Sequence, residues 1–106
     1  MEIKITDNVI NVTPRIKNVV SFLFSRIGDT AHLYLIGSRA RGDNTSNSDW
    51  DFAISAEKPL PWNFFAVLRH EAADIAFPDE IDIVDIRRAP VWFQESIRDD
   101  LVEIKR

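Results

Sequence analysis

Two apolar runs of strand length, HLYLIG from His32 to Gly37 and WDFAISA from Trp50 to Ala56, flank a stretch from Gly42 to Ser48 that is rich in Asp, Asn, Ser and Thr. Such a stretch turns the chain rather than continuing a core element, so the two runs are predicted to be adjacent strands of one sheet. Helical spacing surrounds them. Thr13-Pro14 reads as a cap with proline at the first helical position; Ile16, Val19, Val20, Leu23 and Ile27 then share one face, and Gly28 is the natural stop. From Trp62 to about Ala76, the residues Phe65, Leu68, Ala72, Ile75 and Ala76 define a second core-facing helix. EIDIVDI, Glu80 to Ile86, predicts a third strand; Pro90 opens a third helix carrying Phe93, Ile97 and Leu101, and LVEIK predicts an edge strand. Met1 to Ile5 alternates weakly and reads as one more strand. The order α-β-β-α-β-α, with a strand at each end, predicts an α/β (α+β) fold in which helices pack on a small mixed sheet. A chain of 106 residues suits one shared core, so 1–106 is expected to form a single domain.

Charge and composition narrow the chemistry. A net charge of -4 repels a polyphosphate duplex at long range, so duplex nucleic acid is not the expected partner. No stretch approaches the roughly 20 apolar residues needed to span a bilayer, and Met1-Glu2-Ile3-Lys4 lacks the features of a secretory signal, so no membrane contact and a cytoplasmic location are expected. Cysteine is absent and histidine occurs only at His32 and His70, which removes thiolate metal sites and a His-rich cage. Any metal must therefore sit on carboxylates. Both histidines read as surface or partly packed residues.

On a strand, side chains alternate faces, so Asp49 and Asp51 point to one side while Trp50 and Phe52 point to the other. Two like charges about 6 to 7 Å apart repel unless a proton or a cation relieves them, and a divalent ion held by oxygen ligands is a common relief. Most Asp-x-Asp pairs are nevertheless solvated strand edges. Gly37-Ser38 alters the weighing: a glycine at a strand end lets backbone amides approach an anion, and a helix beginning at Ser38 would aim its free N–H groups at phosphate. Together the two halves describe a phosphate cradle facing a divalent-metal site, as a metal-bound nucleoside triphosphate requires. Arg39 and Arg41 can serve the phosphates through forked contacts, or can be structural ion pairs with a neighbour such as Asp43. Arg87-Arg88 reads as solvated.

GSRARG followed by SDWD, with ten residues between Ser38 and Asp49, resembles the minimal nucleotidyltransferases, small members of the DNA polymerase β-like superfamily. The resemblance runs from about Val19 to Ile104 and implies the nucleotidyltransferase, polymerase β-like palm fold. It implies that Gly37 and Ser38 hold the triphosphate of ATP and that Asp49 and Asp51 share two Mg2+ ions. A third carboxylate joins them in the family. Asp82 and Asp85 compete for that role and strand parity puts them on opposite faces; family position favours Asp82, within Ile81-Asp82-Ile83-Val84, and leaves Asp85 as a solvated or capping residue.

The resemblance also implies a biological setting: an antitoxin paired with a HEPN-domain toxin, transferring AMP from ATP to a toxin tyrosine. With the sequence stopping soon after its third helix, the acceptor is expected to come from a partner or a dimer mate, as a hetero-oligomer or homodimer. Two alternatives stand beside this. One is a non-catalytic module that neutralises its partner by binding, and the other a transferase acting on RNA or a small hydroxyl compound. The aromatic residues Trp62, Phe64, Phe65, Trp92 and Phe93 read mainly as core, but helical geometry cannot bury Trp62, Phe64 and Phe65 together, and an exposed remainder would mark a protein interface.

Overall fold

The computed structural model describes residues 2–5 and 8–106, with side chains described from residue 12 onward. Helix α1, Pro14–Ile27, starts where Thr13 accepts the Ile16 N–H at 3.2 Å and buries the five predicted apolar positions. Strand β3, His32–Ile36, leads into the one-turn helix α2, Ser38–Arg41, and strand β4, Trp50–Ser55, follows the polar loop. Helix α3, Trp62–Ala76, buries Phe65, Leu68, Ala72 and Ala76, with Ile75 only partly covered. Strand β5 is Ile81–Asp85 and helix α4 is Val91–Ile97. At the ends lie β1, Glu2–Ile5, its partner β2, Asn8–Asn11, which the sequence pattern does not announce, and β6, Val102–Ile104. The first predicted strand thus lies at Glu2–Ile5, and Met1 falls outside the described residues.

These strands form one mixed sheet in the order β2-β1-β6-β3-β4-β5 among the described residues. All neighbours are antiparallel except β4 and β5, which are parallel and joined by α3 as a β-α-β unit. The LVEIK segment is not an edge strand. β6 lies inside the sheet, bonded to β3 on one side and β1 on the other, and the edges are β2 and β5. Alternating apolar residues show that a segment is half-buried, but not which neighbours it will find, so an interior place for so short a strand is set by tertiary pairing. The last helix also ends sooner than predicted. It stops at Ile97, and Arg98–Asp100 form a 3-10 turn, so Leu101 leaves the helix while still packing beside it. Asp99 and Asp100 would place negative charge at the negative end of a continued helix.

Each sheet face has its own core. On one, Leu33, Leu35, Phe52, Ile54 and Ile83 meet α1 and α3; on the other, Ile36, Ala53 and Ile97 form a smaller cluster with Tyr34 and Phe93. Alternation along β4 sends Trp50 and Phe52 into the large core and leaves Asp51 on the thinly covered face. That face, at the end where β3 stops and β4 and β5 start, is where the polar residues gather. No helix among the described residues is long and apolar enough to cross a membrane.

Candidate active site

Gly37 leaves β3 with φ 76°, a conformation that L side chains rarely adopt, and its carbonyl then accepts the N–H groups of Ala40 and Arg41, each at 3.1 Å. A side chain has no room there. An added Cβ would collide with the Asp51 carboxylate oxygen Oδ2, so glycine at position 37 is demanded both by the turn and by the acidic side chain beside it. Helix geometry leaves the Ser38 and Arg39 N–H groups without intrahelical acceptors.

Asp51 is half-buried and stands opposite Asp82 in the parallel register of β4 and β5, while Asp49 is exposed just ahead of β4. Burial pushes the Asp51 carboxyl above the ordinary carboxylate range, the nearby charges of Asp82 and Asp49 push the same way, and Arg41 opposes them. Three carboxylates are thus within electrostatic reach, with their repulsion only partly relieved. Asp82 is also engaged elsewhere. Its Oδ1 accepts the Ile83 N–H at 3.1 Å and lies 3.8 Å from the Arg69 guanidinium. Accordingly, among the described residues no three His, Asp or Glu side chains form a ready-made metal group. The donor set is nevertheless the all-oxygen, mutually repelling kind that suits a hard divalent cation, beside a cradle that a Cβ would fill.

The two arginines of GSRARG are engaged within the fold. Arg39 donates through Nε and Nη2 to the Ser48 carbonyl at 3.2 and 3.0 Å and stacks 4.1 Å from the Trp50 ring centroid, so it clamps the polar loop against β4. Arg41 pairs with Asp43 and with Asp100, each at 3.2 Å. Arg41 thus makes the ion pairs that its structural alternative named, while Arg39 is held by carbonyls and a ring rather than by a carboxylate; Arg41 still lies close enough to Asp51 to oppose the upward push on its carboxyl.

Asp85 is 3% exposed and not solvated. Its carboxylate accepts the Leu60 N–H at 2.8 Å and the Arg87 N–H at 3.1 Å, capping the 3-10 turn Ile86–Arg88 and tying the β4-α3 loop to β5. Arg88 completes the anchor, donating Nε and Nη2 to the Leu60 carbonyl and stacking on Trp62, while Arg87 donates to the Ala56 carbonyl. Both arginines are structural rather than simply solvated. His32 also has a partner, Glu103 at 2.8 Å, brought beside it by the β3-β6 pairing. Sequence reasoning missed Arg69; its place one helical turn after Phe65 on α3 was the available signal, because that turn reaches β5.

A palm-like mixed sheet, a Gly-Ser turn and carboxylates at the facing strand ends define the nucleotidyltransferase class. Residues 17–105 match the family model described as Polymerase beta, Nucleotidyltransferase, and the chain belongs to that family. No curated protein sequence is significantly similar to it. Among solved structures, a chain of a toxin-antitoxin crystal structure with AMP-PNP is 25% identical with a TM-score of 0.70, over 86% of this chain and 72% of that one. A minimal nucleotidyltransferase structure is 24% identical with a TM-score of 0.60, over 87% and 89%. A chain from the complex of tri-AMPylated Shewanella oneidensis HEPN toxin with MNT antitoxin is 19% identical with a TM-score of 0.62, over 84% and 67%. The last two share the fold.

Proposed function

We propose that this chain is an antitoxin that transfers AMP from ATP to a hydroxyl of a HEPN-domain toxin, with a tyrosine as acceptor. The observation that carries the reading is the contact between Gly37 and Asp51, which sets phosphate-binding backbone and acidic side chains against one another at the same strand ends. The family match supports nucleotidyl transfer, and the similar toxin-antitoxin structures, one with AMP-PNP and one with an AMPylated HEPN toxin, support the nucleotide and the partner.

Asp49, Asp51 and Asp82 are the residues that would hold Mg2+, which when bound neutralises phosphate charge and lowers the pKa of a coordinated hydroxyl. The chain's own part is to bind and orient. Backbone N–H groups of the Gly37-Ser38 turn take the triphosphate oxygens, and the Ser38 side chain adds a further donor. Arg39 and Arg41 act indirectly, by fixing the polar loop and α2. The acceptor oxygen attacks the α-phosphorus, the bond from that phosphorus to the bridging oxygen breaks, and pyrophosphate departs. Asp82 is the carboxylate assigned to take the hydroxyl proton.

The test is to incubate the purified pair with magnesium and α-labelled ATP, comparing the native chain with Asp49→Ala/Asp51→Ala. Label on the toxin with the native chain only supports transfer. An unlabelled toxin, with the double variant protecting cells as well as the native chain, would instead identify neutralisation by binding. Large exposed aromatic side chains at Trp62 and Trp92 favour that second reading enough to keep it in the comparison.

A further inference from the structure

β5 is an edge of the sheet, and no strand pairs with its outer side among the described residues. The Ile83 N–H is taken by the carboxylate of its own neighbour, Asp82. Alongside runs a cleft between β5 and α3, made of two adjoining cavities of about 320 and 350 Å³ that share Arg69, Asp82 and Ile83. One end holds His70 beside Arg69; the other is walled by Trp62, Phe65 and Phe93. Asp82 sits at the middle. Beyond the aromatic end Trp62 and Trp92 remain 64% and 70% exposed, although Trp62 is stacked by Arg88 and Trp92 lies edge-on to Phe93.

We propose that the acceptor polypeptide docks in this cleft as an extended segment added to the β5 edge. The inference rests on the transferase reading above and names how its acceptor is presented. An open strand edge whose outward N–H is held only by a neighbouring side chain is recognised by another backbone, and alternate side chains then enter the flanking pockets. A carbonyl of the segment replaces Asp82 at the Ile83 N–H, which frees the Asp82 carboxylate to join Asp51, its partner in the β4-β5 register, where a bound divalent cation would offset their repulsion. The hydroxyl side chain of the segment is thereby brought to Asp82. The two ends of the cleft dictate the flanks: an acidic residue toward Arg69, which Asp82 has left, and an apolar one between Trp62 and Phe93, while His70 keeps Asp74 at 3.6 Å.

Amide NMR on the full chain tests this with nine-residue synthetic peptides carrying a central tyrosine, glutamate on one side and leucine on the other, made in both directions. A peptide with glycine at both flanks is the control. At millimolar peptide one direction should shift the Ile83 amide and the Trp62 indole with saturation, and the control should not. Trp62→Ala should raise the peptide Kd about tenfold or more. A native-like amide spectrum of Trp62→Ala away from the cleft checks that any loss is not misfolding. Mg-ATP added to the same samples reports separately on the nucleotide reading through the Gly37 and Ser38 amides. Saturable shifts confined to other strands, no saturable shift with either peptide, or Ile83 shifts that depend on protein concentration without peptide would each overturn the docking proposal.

Discussion

Asp82 and Asp85 are three residues apart on one strand, yet the fold treats them as opposites. Asp85 is buried and its oxygens accept two backbone N–H groups with Arg88 nearby, so its charge is used up in holding the β4-α3 loop. Asp82 is exposed, accepts one backbone N–H, from Ile83, lies 3.8 Å from Arg69, and stands opposite Asp51 in the sheet register. A saturated carboxylate stabilises the molecule; one left among like charges costs stability and is available for a ligand.

Several substitutions would break or sharpen that contrast. The largest effect is expected on activity: Asp49→Asn/Asp51→Asn should lower AMP transfer by at least about a hundredfold, the scale seen when transition-state electrostatics are removed. Its urea midpoint should stay level or rise, because repulsion is relieved; a large fall would place these residues with Asp85 as structural. Asp85→Ala should cost about 3 kcal/mol in urea unfolding, since the Leu60 and Arg87 N–H groups and Arg88 lose their acceptor. Asp82→Ala should stay within about 0.5 kcal/mol of the native chain, and equal costs for the two would end the comparison. Gly37→Ala should lose about 1 to 3 kcal/mol through its positive φ and displace Asp51, weakening Mg-ATP binding measured on the same sample. Arg39→Ala should lose about 1 to 2 kcal/mol by freeing the loop from Ser48 and Trp50, with faster amide exchange over residues 43–49 as its mark.

The smallest effect concerns pH. Hydrogen bonds from His32 and then Lys105 hold the Glu103 carboxyl below its ordinary value. A depressed folded pKa means that its stabilisation is present above the unfolded value of about 4.3 and is lost as pH falls through the folded value. Glu103→Gln should lose that small stabilisation at neutral pH and converge with the native chain as the pH falls below the folded value, flattening that part of the acid unfolding curve.

Much of this was legible in the chain because it rests on local periodicity. Thr13-Pro14 and Gly28 bracket α1, and the parity of Trp50, Asp51 and Phe52 follows from strand alternation alone. The pairing of sequence-distant groups was not. Arg39 against Trp50, Asp85 under Leu60 and His32 beside Glu103 depend on which strands become neighbours, and so does the interior position of β6. GSRARG left two roles open for its guanidiniums, phosphate contact or a structural pairing, and the partners that hold them, Ser48 and Trp50 for Arg39 and Asp43 and Asp100 for Arg41, come mostly from other elements. The exposed Trp62 beside buried Phe65 follows from the narrow apolar stripe that a helix can cover.

Calorimetric titration of Mg-ATP, into the native chain and into Asp49→Asn/Asp51→Asn, tests the central claim most directly. Saturable, magnesium-dependent uptake by the native chain and its loss in the variant is the predicted result. No uptake by the native chain, alone or with its toxin present, or equal uptake by both proteins, would contradict a nucleotide held between the Gly37-Ser38 turn and the carboxylates of β4.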